Sequence, residues 1–288
     1  MEFRAILAGI SFALIWSSAF TSARIIVTHA PPLTVSAIRF LIAGIIAVAI
    51  ARAFGQTWRL TPQQWRLTIV FGVCQNALYL GLNFVAMQTV EASLAAIIAS
   101  SLPLLVALFG WLITGDKVKP LGIAGLLAGF AGVALIMGTR LTAGVDPFGI
   151  ALCCIGALAL TFATLSMKGM SAGGNVLMVV GLQMLIGSIA LWIPALAFEE
   201  WVFDWKPQVI AAFIYTIFVP GIVATFIWFW LVGQIGAVRA ATFHFLNPFF
   251  GVLIAAVLLS EALGFLDLIG VTVITIGIFA VQYSKATR

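Results

Sequence analysis

The sequence predicts an all-α polytopic membrane protein with ten transmembrane helices, arranged as two inverted five-helix repeats. Three observations predict this fold. Hydrophobic residues form 63% of the 288-residue chain and charged residues only 8%, a composition that excludes a soluble globule. The apolar runs are continuous and about 20 residues long, which is the length of a spanning helix. Finally, the stretch from Pro103 to Asp116 recurs from Pro248 to Glu261, which indicates an internal repeat.

Ten apolar segments follow one another with short connections, and together they nearly fill the chain. A proline stands at or just before the start of five of them, where the first helical N–H has no partner in any case. The connections are too short to form a separate soluble domain. The expected spans are residues 5–27, 33–53, 66–86, 91–113, 120–138, 148–167, 176–198, 208–232, 238–259 and 264–283.

Basic residues are unequally divided between the two sides of the predicted bundle. With the N-terminus inside, the outer connections carry only Arg24, Arg140 and Lys206, whereas the inner side carries most of the Lys and Arg residues. This asymmetry satisfies the positive-inside rule. We therefore expect a multi-pass protein of the plasma membrane, the inner membrane of a bacterium, with both termini in the cytoplasm. The first apolar run is expected to be a span, since it is too long for a secretory signal.

Charge and motif content exclude several classes of function. The basic residues are dispersed over short loops, so no nucleic-acid surface is expected. The sequence shows no clustered acids, paired histidines or nucleophile beside a base, so we expect no enzyme, no catalytic residue, no metal and no cofactor. It also lacks a phosphate-cradling loop, which argues against ATP as the driving force. The expected partners are a small-molecule substrate and the lipid bilayer, and the sequence is compatible with a monomer.

The repeat is defined by landmarks that lie 145 residues apart. In addition to the proline and the acid, Gly125 and Gly132 recur as Gly270 and Gly277. Because five spans per repeat is an odd number, the second repeat must enter the membrane inverted. The predicted division is residues 1–140 and residues 141–288, within one integrated transmembrane domain. Inverted repeats of this kind are typical of secondary transporters.

Prolines inside the spans predict helix breaks. Pro103 and Pro248 occupy equivalent positions of the repeat, and Pro220 lies inside the eighth span. Each proline removes one backbone hydrogen bond, and in lipid the freed carbonyl needs a neighbouring group or water. Two kinked helices that simply pack together remain the alternative.

A second pattern is a face of small residues on the fifth span. It consists of Gly122, Gly125, Gly129 and Gly132. Small residues let helix backbones approach closely in membranes. The pattern therefore predicts tight packing, either within the scaffold or in a dimer contact.

With these features the chain resembles the drug/metabolite transporter superfamily. The resemblance rests on the ten spans, the inverted repeat, and the proline and acid that mark each fourth helix of a repeat, Pro103 to Asp116 and Pro248 to Glu261. It is most similar to the EamA-like ten-helix exporters, which include exporters of aromatic amino acids. Asp116 departs from the family pattern, in which glutamate is more usual. The resemblance implies export of small metabolites through a central cavity without ATP.

The expected function is secondary export of small amphipathic metabolites by alternating access, with aromatic or other hydrophobic amino acids as the leading cargo. A broad-specificity exporter of cationic drugs or other small metabolites is the alternative. A channel or a structural membrane protein explains less, because neither needs an inverted repeat with paired breaks. Coupling stays open between protons, exchange and facilitated diffusion. No carboxylate lies deep in a span, and His244 is the only deep side chain that titrates near neutral pH.

Polar side chains inside the spans form the candidate site, since such groups usually face a cavity or another helix. Asn76, Tyr79 and Asn83 share one helical face of the third span. Aromatic and amide groups together suit a solute with a flat apolar part and a polar end, although hydrogen bonds between helices explain the same residues. The expected substrate-binding residues are Trp16, Asn76, Tyr79, Asn83, Trp228, His244 and Asn247, with helix breaks at Pro103, Pro220 and Pro248.

Arg39 is the one charge expected to be partly submerged, about two turns after Pro32. It can pair with Glu91, hold a substrate carboxylate, or extend towards the lipid headgroups. The sequence leaves these three roles open.

Overall fold

The computed structural model describes residues 3–114, 119–142, 144–167, 174–262 and 264–286. Every regular element within these ranges is helical, which confirms the predicted all-α class. In the described ranges, eight helices are long and apolar enough to cross a membrane, and two shorter apolar helices occupy the ninth and tenth expected spans. The chain is therefore a polytopic membrane protein. The predicted landmark Asp116 lies outside the described residues.

The helices of the first half are α1 (Phe3–Val27), α2 (Pro32–Ala53), α3 (Pro62–Phe71), π1 (Gly72–Leu80), α4 (Gly81–Ala86), α5 (Ala92–Ala99), α6 (Leu102–Thr114) and α7 (Pro120–Thr142). Those of the second half are α8 (Pro147–Ser166), α9 (Val176–Phe198), α10 (Pro207–Thr216), π2 (Ile217–Ala224), α11 (Thr225–Ile235), α12 (Ala237–Ala241), a 3₁₀ turn (Thr242–Leu246), α13 (Asn247–Leu259) and α14 (Phe265–Ala286). We call the side of the bundle at which α1 begins the N-side, and the side at which α1 ends the distal side.

Most helix ends lie within a few residues of the predicted spans, but the third span begins at Pro62 rather than at residue 66. Thr61 caps this helix: its side chain accepts a hydrogen bond from the Gln64 N–H (3.2 Å), and the Gln64 side chain accepts one from the Thr61 N–H (2.9 Å). This reciprocal pair satisfies two N–H groups that the helix itself leaves unpaired. The prediction was wrong here because the first helical turn is polar, so the apolar run starts after the helix does.

The third and eighth spans each contain a π-helical segment in the middle. The segments π1 and π2 begin at Gly72 and Ile217, 145 residues apart. In a π-helix the hydrogen bonds run from residue i to i+5, so the helix is locally wider, and such segments frequently lie at functional sites. Pro220 lies inside π2. The first half has Gln75 at the equivalent position, so proline gives no sequence signal for π1.

The fourth and ninth spans are interrupted at equivalent positions. Helix α5 ends at Ala99 and α6 begins at Leu102, while the 3₁₀ turn separates α12 from α13, which begins at Asn247. At the first interruption the hydroxyls of Ser100 and Ser101 donate to the carbonyls of the residues three positions earlier, at 2.5 and 2.7 Å. The same two carbonyls also accept from the backbone N–H groups of Ser100 and Ser101, both at 3.1 Å, so the serine hydroxyls are paired locally, as polar groups within a membrane need to be.

Helices α7 and α14 cross at close range through glycines. A Cβ on Gly125 would lie 2.6 Å from the carbonyl oxygen of Gly277, and a Cβ on Gly132 would lie 2.9 Å from that of Gly270. The reverse distances, from Gly277 to Gly125 and from Gly270 to Gly132, are 2.6 and 3.1 Å. The two contacts are equivalent in the repeat, because Gly125 corresponds to Gly270 and Gly277 corresponds to Gly132. The small-residue face of α7 therefore packs within the chain.

Helices α2 and α9 pack against each other in the same reciprocal way. A Cβ on either Gly44 or Gly181 would lie 3.0 Å from the carbonyl oxygen of the other residue. Further along, the Ser188 hydroxyl donates to the Ala37 carbonyl at 2.8 Å. Close backbone contact is the usual way in which membrane helices associate, and here it fixes α2, which carries Arg39.

Carboxylates cap helix starts on the distal side. Glu261 accepts from the N–H groups of Ala92 and Ser93, at 2.9 and 3.0 Å, and so joins the end of α13 to the start of α5. Glu199 accepts from the N–H groups of Leu33 and Thr34, both at 2.7 Å. A carboxylate is favoured at a helix N-terminus by the unpaired N–H groups and by the helix dipole. The acid that marks the second copy of the repeat is therefore a structural cap.

Candidate central cavity

A small central cavity of about 20 Å³, with room for about one water molecule, lies between α1, α2, the third span and the junction of π2 with α11. Its walls are mostly apolar, and aromatic rings form much of their area. Sites of this kind are the usual location of small-molecule ligands. The lining residues are Trp16, Ala19, Phe20, Ala23, Arg39, Phe40, Tyr79, Leu80, Asn83, Phe84, Met87, Pro220, Gly221 and Thr225.

Arg39 contributes a buried cation to the cavity wall. This residue is only 4% exposed, which argues against one of the three roles left open by the sequence, extension to the lipid headgroups. Its Cζ atom lies 4.2 Å from the ring centroid of Phe40 and 4.3 Å from that of Phe84. Its Nε and Nη2 atoms have no hydrogen-bond partner among the described residues. The alternative of an ion pair with Glu91 is not observed either, because Glu91 lines a separate distal pocket with Arg24 and Glu261.

Tyr79 and Asn83 add polar atoms to the same wall. Both belong to the third span, and the Asn83 amide donates to the Tyr79 carbonyl at 2.7 Å. The Asn83 Oδ1 atom has no hydrogen-bond partner in the described part of the chain. The Tyr79 hydroxyl approaches the Trp16 side chain but makes no hydrogen bond of normal geometry. Because unpaired buried polar atoms are costly, these groups are candidates for ligand contacts.

The two halves of the molecule differ in the neighbour that they give to Arg39 and to its equivalent. Arg39 lies seven residues after the first residue of α2, and Gln183 lies seven residues after the first residue of α9, so the two positions are equivalent. In the same way, Asn76 in π1 is equivalent to Gly221 in π2, since each lies four residues after the start of its segment. Gln183 has a polar neighbour, since the Asn76 amide donates to the Gln183 side-chain oxygen at 2.6 Å. Arg39 lines the cavity together with Gly221, which has no side chain that could donate or accept. The polar group of α9 therefore has a side-chain partner from the π segment, and that of α2 has none.

An aromatic cluster lies on the N-side of the cavity. It consists of Phe12, Trp16, Trp228 and His244, whose ring centroids lie 5.1 to 6.0 Å apart in the contacting pairs. Trp16 also stacks on Tyr79, at 6.3 Å and an interplanar angle of 3°, so it belongs to both the cluster and the cavity wall. These rings fill the space between α1, α11 and the 3₁₀ turn.

Hydrogen bonds tie the 3₁₀ turn to α1 beside this cluster. The Asn247 amide lies 2.8 Å from the His244 Nδ1 atom, and the Ser17 hydroxyl donates to the Asn247 Oδ1 atom at 3.3 Å. Nearby, a Cβ on Gly9 would overlap the ring of Phe243, so α1 lies directly against the turn. The N-side of the cavity is therefore densely packed.

Comparisons with known proteins agree with this architecture. The sequence pattern of the EamA-like transporter family matches residues 3–138 and again residues 147–283. The chain belongs to this family. A solved crystal structure superposes over 100% of both chains with a TM-score of 0.74 at 21% identity, which supports the fold of this EamA-like transporter.

Several curated relatives align with most of this EamA-like transporter. It is 27% identical to the uncharacterized transporter YvbV of Bacillus subtilis, over 96% of this chain and 90% of the relative. It is also 27% identical to the uncharacterized inner membrane transporter YedA of Escherichia coli, over 99% and 94% of the two chains. A shorter match, 29% identical over 47% of each chain, joins it to the aromatic amino acid exporter YddG of Ancylobacter novellus.

The residues predicted for the site of this EamA-like transporter fall into two groups. Trp16, Tyr79, Asn83 and Pro220 line the cavity. The remaining predicted residues lie outside it, in contacts between helices or at helix starts: Asn76, Trp228, His244, Asn247, Pro103 and Pro248.

The site prediction omitted the two described rings that contact the Arg39 cation, those of Phe40 and Phe84. The chain contains 23 phenylalanines, so a single ring gives no sequence signal for a cavity. Arg39 itself carried the only available signal, since a charge inside a predicted span is rare and is often functional.

Proposed function

We propose that this EamA-like transporter is a secondary exporter of small amphipathic metabolites, with aromatic or other hydrophobic amino acids as its main cargo. The observation that carries the proposal is the composition of the central cavity. Trp16 and Tyr79 present stacked rings to it, while the Tyr79 hydroxyl and the Asn83 Oδ1 atom supply polar groups without partners. A ligand with a flat apolar part and a polar end matches both kinds of surface in its chemistry, and the cavity has to widen during the transport cycle to admit it.

The proposed mechanism is alternating access by two inverted repeats, residues 1–140 and 141–288. Three structural features support it: the equivalent helix interruptions, the equivalent π segments, and the reciprocal glycine contacts of α7 with α14. In inverted-repeat carriers the two halves exchange conformations, so that the site opens to one side and then to the other. We assign the N-side to the cytoplasm of a bacterial inner membrane, and the aromatic cluster to the gate on that side.

Counterflow in liposomes tests the proposed cargo. Liposomes that contain the purified protein and are loaded with unlabelled phenylalanine should accumulate radiolabelled Phe, Trp or Met, and the exchange should saturate. Saturation is expected because a carrier has one alternating site, whereas a channel gives flux that rises in proportion to concentration. Non-saturable flux would exclude the carrier mechanism. Saturable exchange of other solutes without these amino acids would exclude the proposed cargo.

Tyr79→Phe tests whether the cavity is the binding site. The change removes one unpaired hydroxyl and keeps the ring, so the concentration for half-maximal phenylalanine exchange should rise about threefold to tenfold. Thr164→Val is the matched control, since it also removes a buried hydroxyl without a partner but lies outside the cavity. Equal effects of the two changes, or no effect of Tyr79→Phe, would contradict the assignment of this cavity.

A further inference from the structure

We infer that Arg39 is a carboxylate anchor, and that the cavity therefore selects substrates that carry a carboxylate and rejects those that carry only a cation. This inference deepens the proposed function and rests on it for the identity of the cavity as the transport site. It names the chemical group that the cavity recognises and the residue that recognises it. It also opposes the alternative of a cationic-drug exporter.

The first step of the argument is the burial of an uncompensated charge. Arg39 is 4% exposed, lines the cavity, and has no ion-pair partner in the described ranges. A buried cation without a counter-ion is strongly unfavourable. Ring contacts with Phe40 and Phe84 offset part of this penalty, as cation–π contacts do. They supply no negative charge, so a counter-ion is still missing.

The second step is the geometry of the unpaired atoms. The two atoms without partners are Nε and Nη2, which lie along one edge of the planar guanidinium. The N–H groups on this edge point in the same direction and match the two oxygens of a carboxylate. The rings of Phe40 and Phe84 offer no oxygen or nitrogen acceptor, so this buried edge keeps its unpaired N–H groups. The unsatisfied chemistry is thus a fork for one carboxylate.

The third step is the origin of the missing partner. The equivalent residue of the second half, Gln183, accepts hydrogen bonds from the Asn76 amide, but π2 presents Gly221 where π1 presents Asn76. The chain therefore supplies a polar side chain to α9 at this position and supplies none to the cation of α2. In the proposed arrangement the cavity widens to admit the ligand, the ligand carboxylate lies at Arg39, and its apolar part extends along Trp16 and Tyr79 towards the aromatic cluster.

Three probes of matched size test this inference on purified full-length protein. They are L-phenylalanine, 3-phenylpropionate, which lacks the amine, and phenethylamine, which lacks the carboxylate. Binding is measured as ligand-induced thermal stabilisation, and competition is measured against labelled phenylalanine in counterflow. We expect phenylalanine and 3-phenylpropionate to bind at least about tenfold more tightly than phenethylamine, because a charge-assisted bidentate contact is lost with the carboxylate.

Variants of Arg39 assign this preference to one residue. Arg39→Gln should abolish the difference between 3-phenylpropionate and phenethylamine. Arg39→Lys keeps the charge without the fork and should retain only part of the difference. Arg52→Gln is the matched control, because Arg52 lies on the same helix and also contacts a ring, that of Trp58 at 5.5 Å, but is exposed outside the cavity.

The outcomes separate this inference from the proposed function. Equal binding of phenethylamine and 3-phenylpropionate to the wild-type protein would overturn the inference even if amino acids are exchanged. The inference would also be overturned if Arg39→Gln still bound 3-phenylpropionate more tightly than phenethylamine, or if none of the three probes stabilised the protein. If carboxylate-dependent binding is found but Phe, Trp and Met show no saturable exchange, the anchor stands and the proposed cargo fails.

Discussion

The helices approach each other much more closely where α7 crosses α14 than they do around the central cavity. At the crossing, glycines of both halves bring the backbones into direct contact, and a Cβ at Gly125 or Gly277 would lie 2.6 Å from a carbonyl oxygen. In the cavity, side chains from the two halves leave a gap of only about 20 Å³ and keep polar atoms without partners. One region is closed by direct backbone contact, and the other is lined by mostly apolar side chains with a few unpaired polar atoms.

The two regions also differ in whether equivalent positions of the two halves carry the same residue. At the crossing two pairs of equivalent residues are identical, since Gly125 and Gly132 recur as Gly270 and Gly277. Helices that touch through their backbones need small residues on both sides. In the cavity wall the halves differ, since π1 has Tyr79 where π2 has Ala224. The repeat is therefore kept where these glycines bring the backbones together, and it is lost at this ring of the cavity.

The largest effect is expected when the crossing is disturbed. Gly125→Ala places a methyl group 2.6 Å from the Gly277 carbonyl oxygen, which requires the two backbones to separate. We expect a loss of about 1–3 kcal/mol or more in the free energy of unfolding, seen as a lower Tm and a lower yield of monodisperse protein in detergent.

Gly138→Ala on the same helix is the control. No atom lies within 4 Å of a Cβ at Gly138, so this change should be neutral or slightly stabilising through its better helix propensity. If Gly125→Ala were as harmless as Gly138→Ala, the crossing would not be the tight contact that the structure shows.

A smaller effect of opposite sign is expected in the cavity. Arg39→Met removes a buried charge that has no partner but keeps a long side chain against Phe40 and Phe84. Without substrate, the variant should be more heat-stable than the wild type by about 1 kcal/mol, because sites kept for ligands reduce stability. A lower Tm would instead show that Arg39 stabilises the fold through its ring contacts.

The smallest effect is expected at an exposed cap on the distal side. Asp146 accepts hydrogen bonds from the Thr89 hydroxyl (2.8 Å) and from the N–H groups of Phe148 and Gly149. The Thr89 hydrogen bond, together with these backbone bonds, lowers the pKa of the Asp146 carboxyl below its ordinary value. A carboxyl with a lowered pKa contributes stability above its unfolded-state pKa, and this contribution is lost as the pH falls through the folded-state pKa.

The difference in Tm between wild type and Asp146→Asn measures this contribution. It should be small and constant from pH 7 to about pH 5, and should shrink below about pH 4, where free aspartate protonates. Asparagine still caps a helix, so the two proteins should converge in acid. A difference that grew as the pH fell would contradict the sign of the shift.

Much of the fold follows from the sequence because membrane helices are encoded locally. Length, hydropathy and the flanking prolines placed the ten spans, and the third span was misplaced only because its first turn is polar. The π1 segment was not predicted. It depends on how the third span packs against α8 and α9, and no proline marks it.

The site was harder to predict than the fold. Asn76 and Asn83 share one predicted face of the third span, but the structure places the first against Gln183 and the second in the cavity wall. Periodicity identifies a polar face without showing which neighbour it meets. The same limit applies to Arg39, for which the sequence left three roles open.

Hydropathy and repetition are properties of the linear chain, so the sequence was sufficient to predict an all-α membrane protein, its spans, and landmarks that recur 145 residues apart. The packing of the α7 glycines against those of α14, and the different neighbours of Arg39 and Gln183, are visible only in the folded molecule. Whether a buried polar group is satisfied depends on the side chain opposite it, and that neighbour comes from a distant part of the chain.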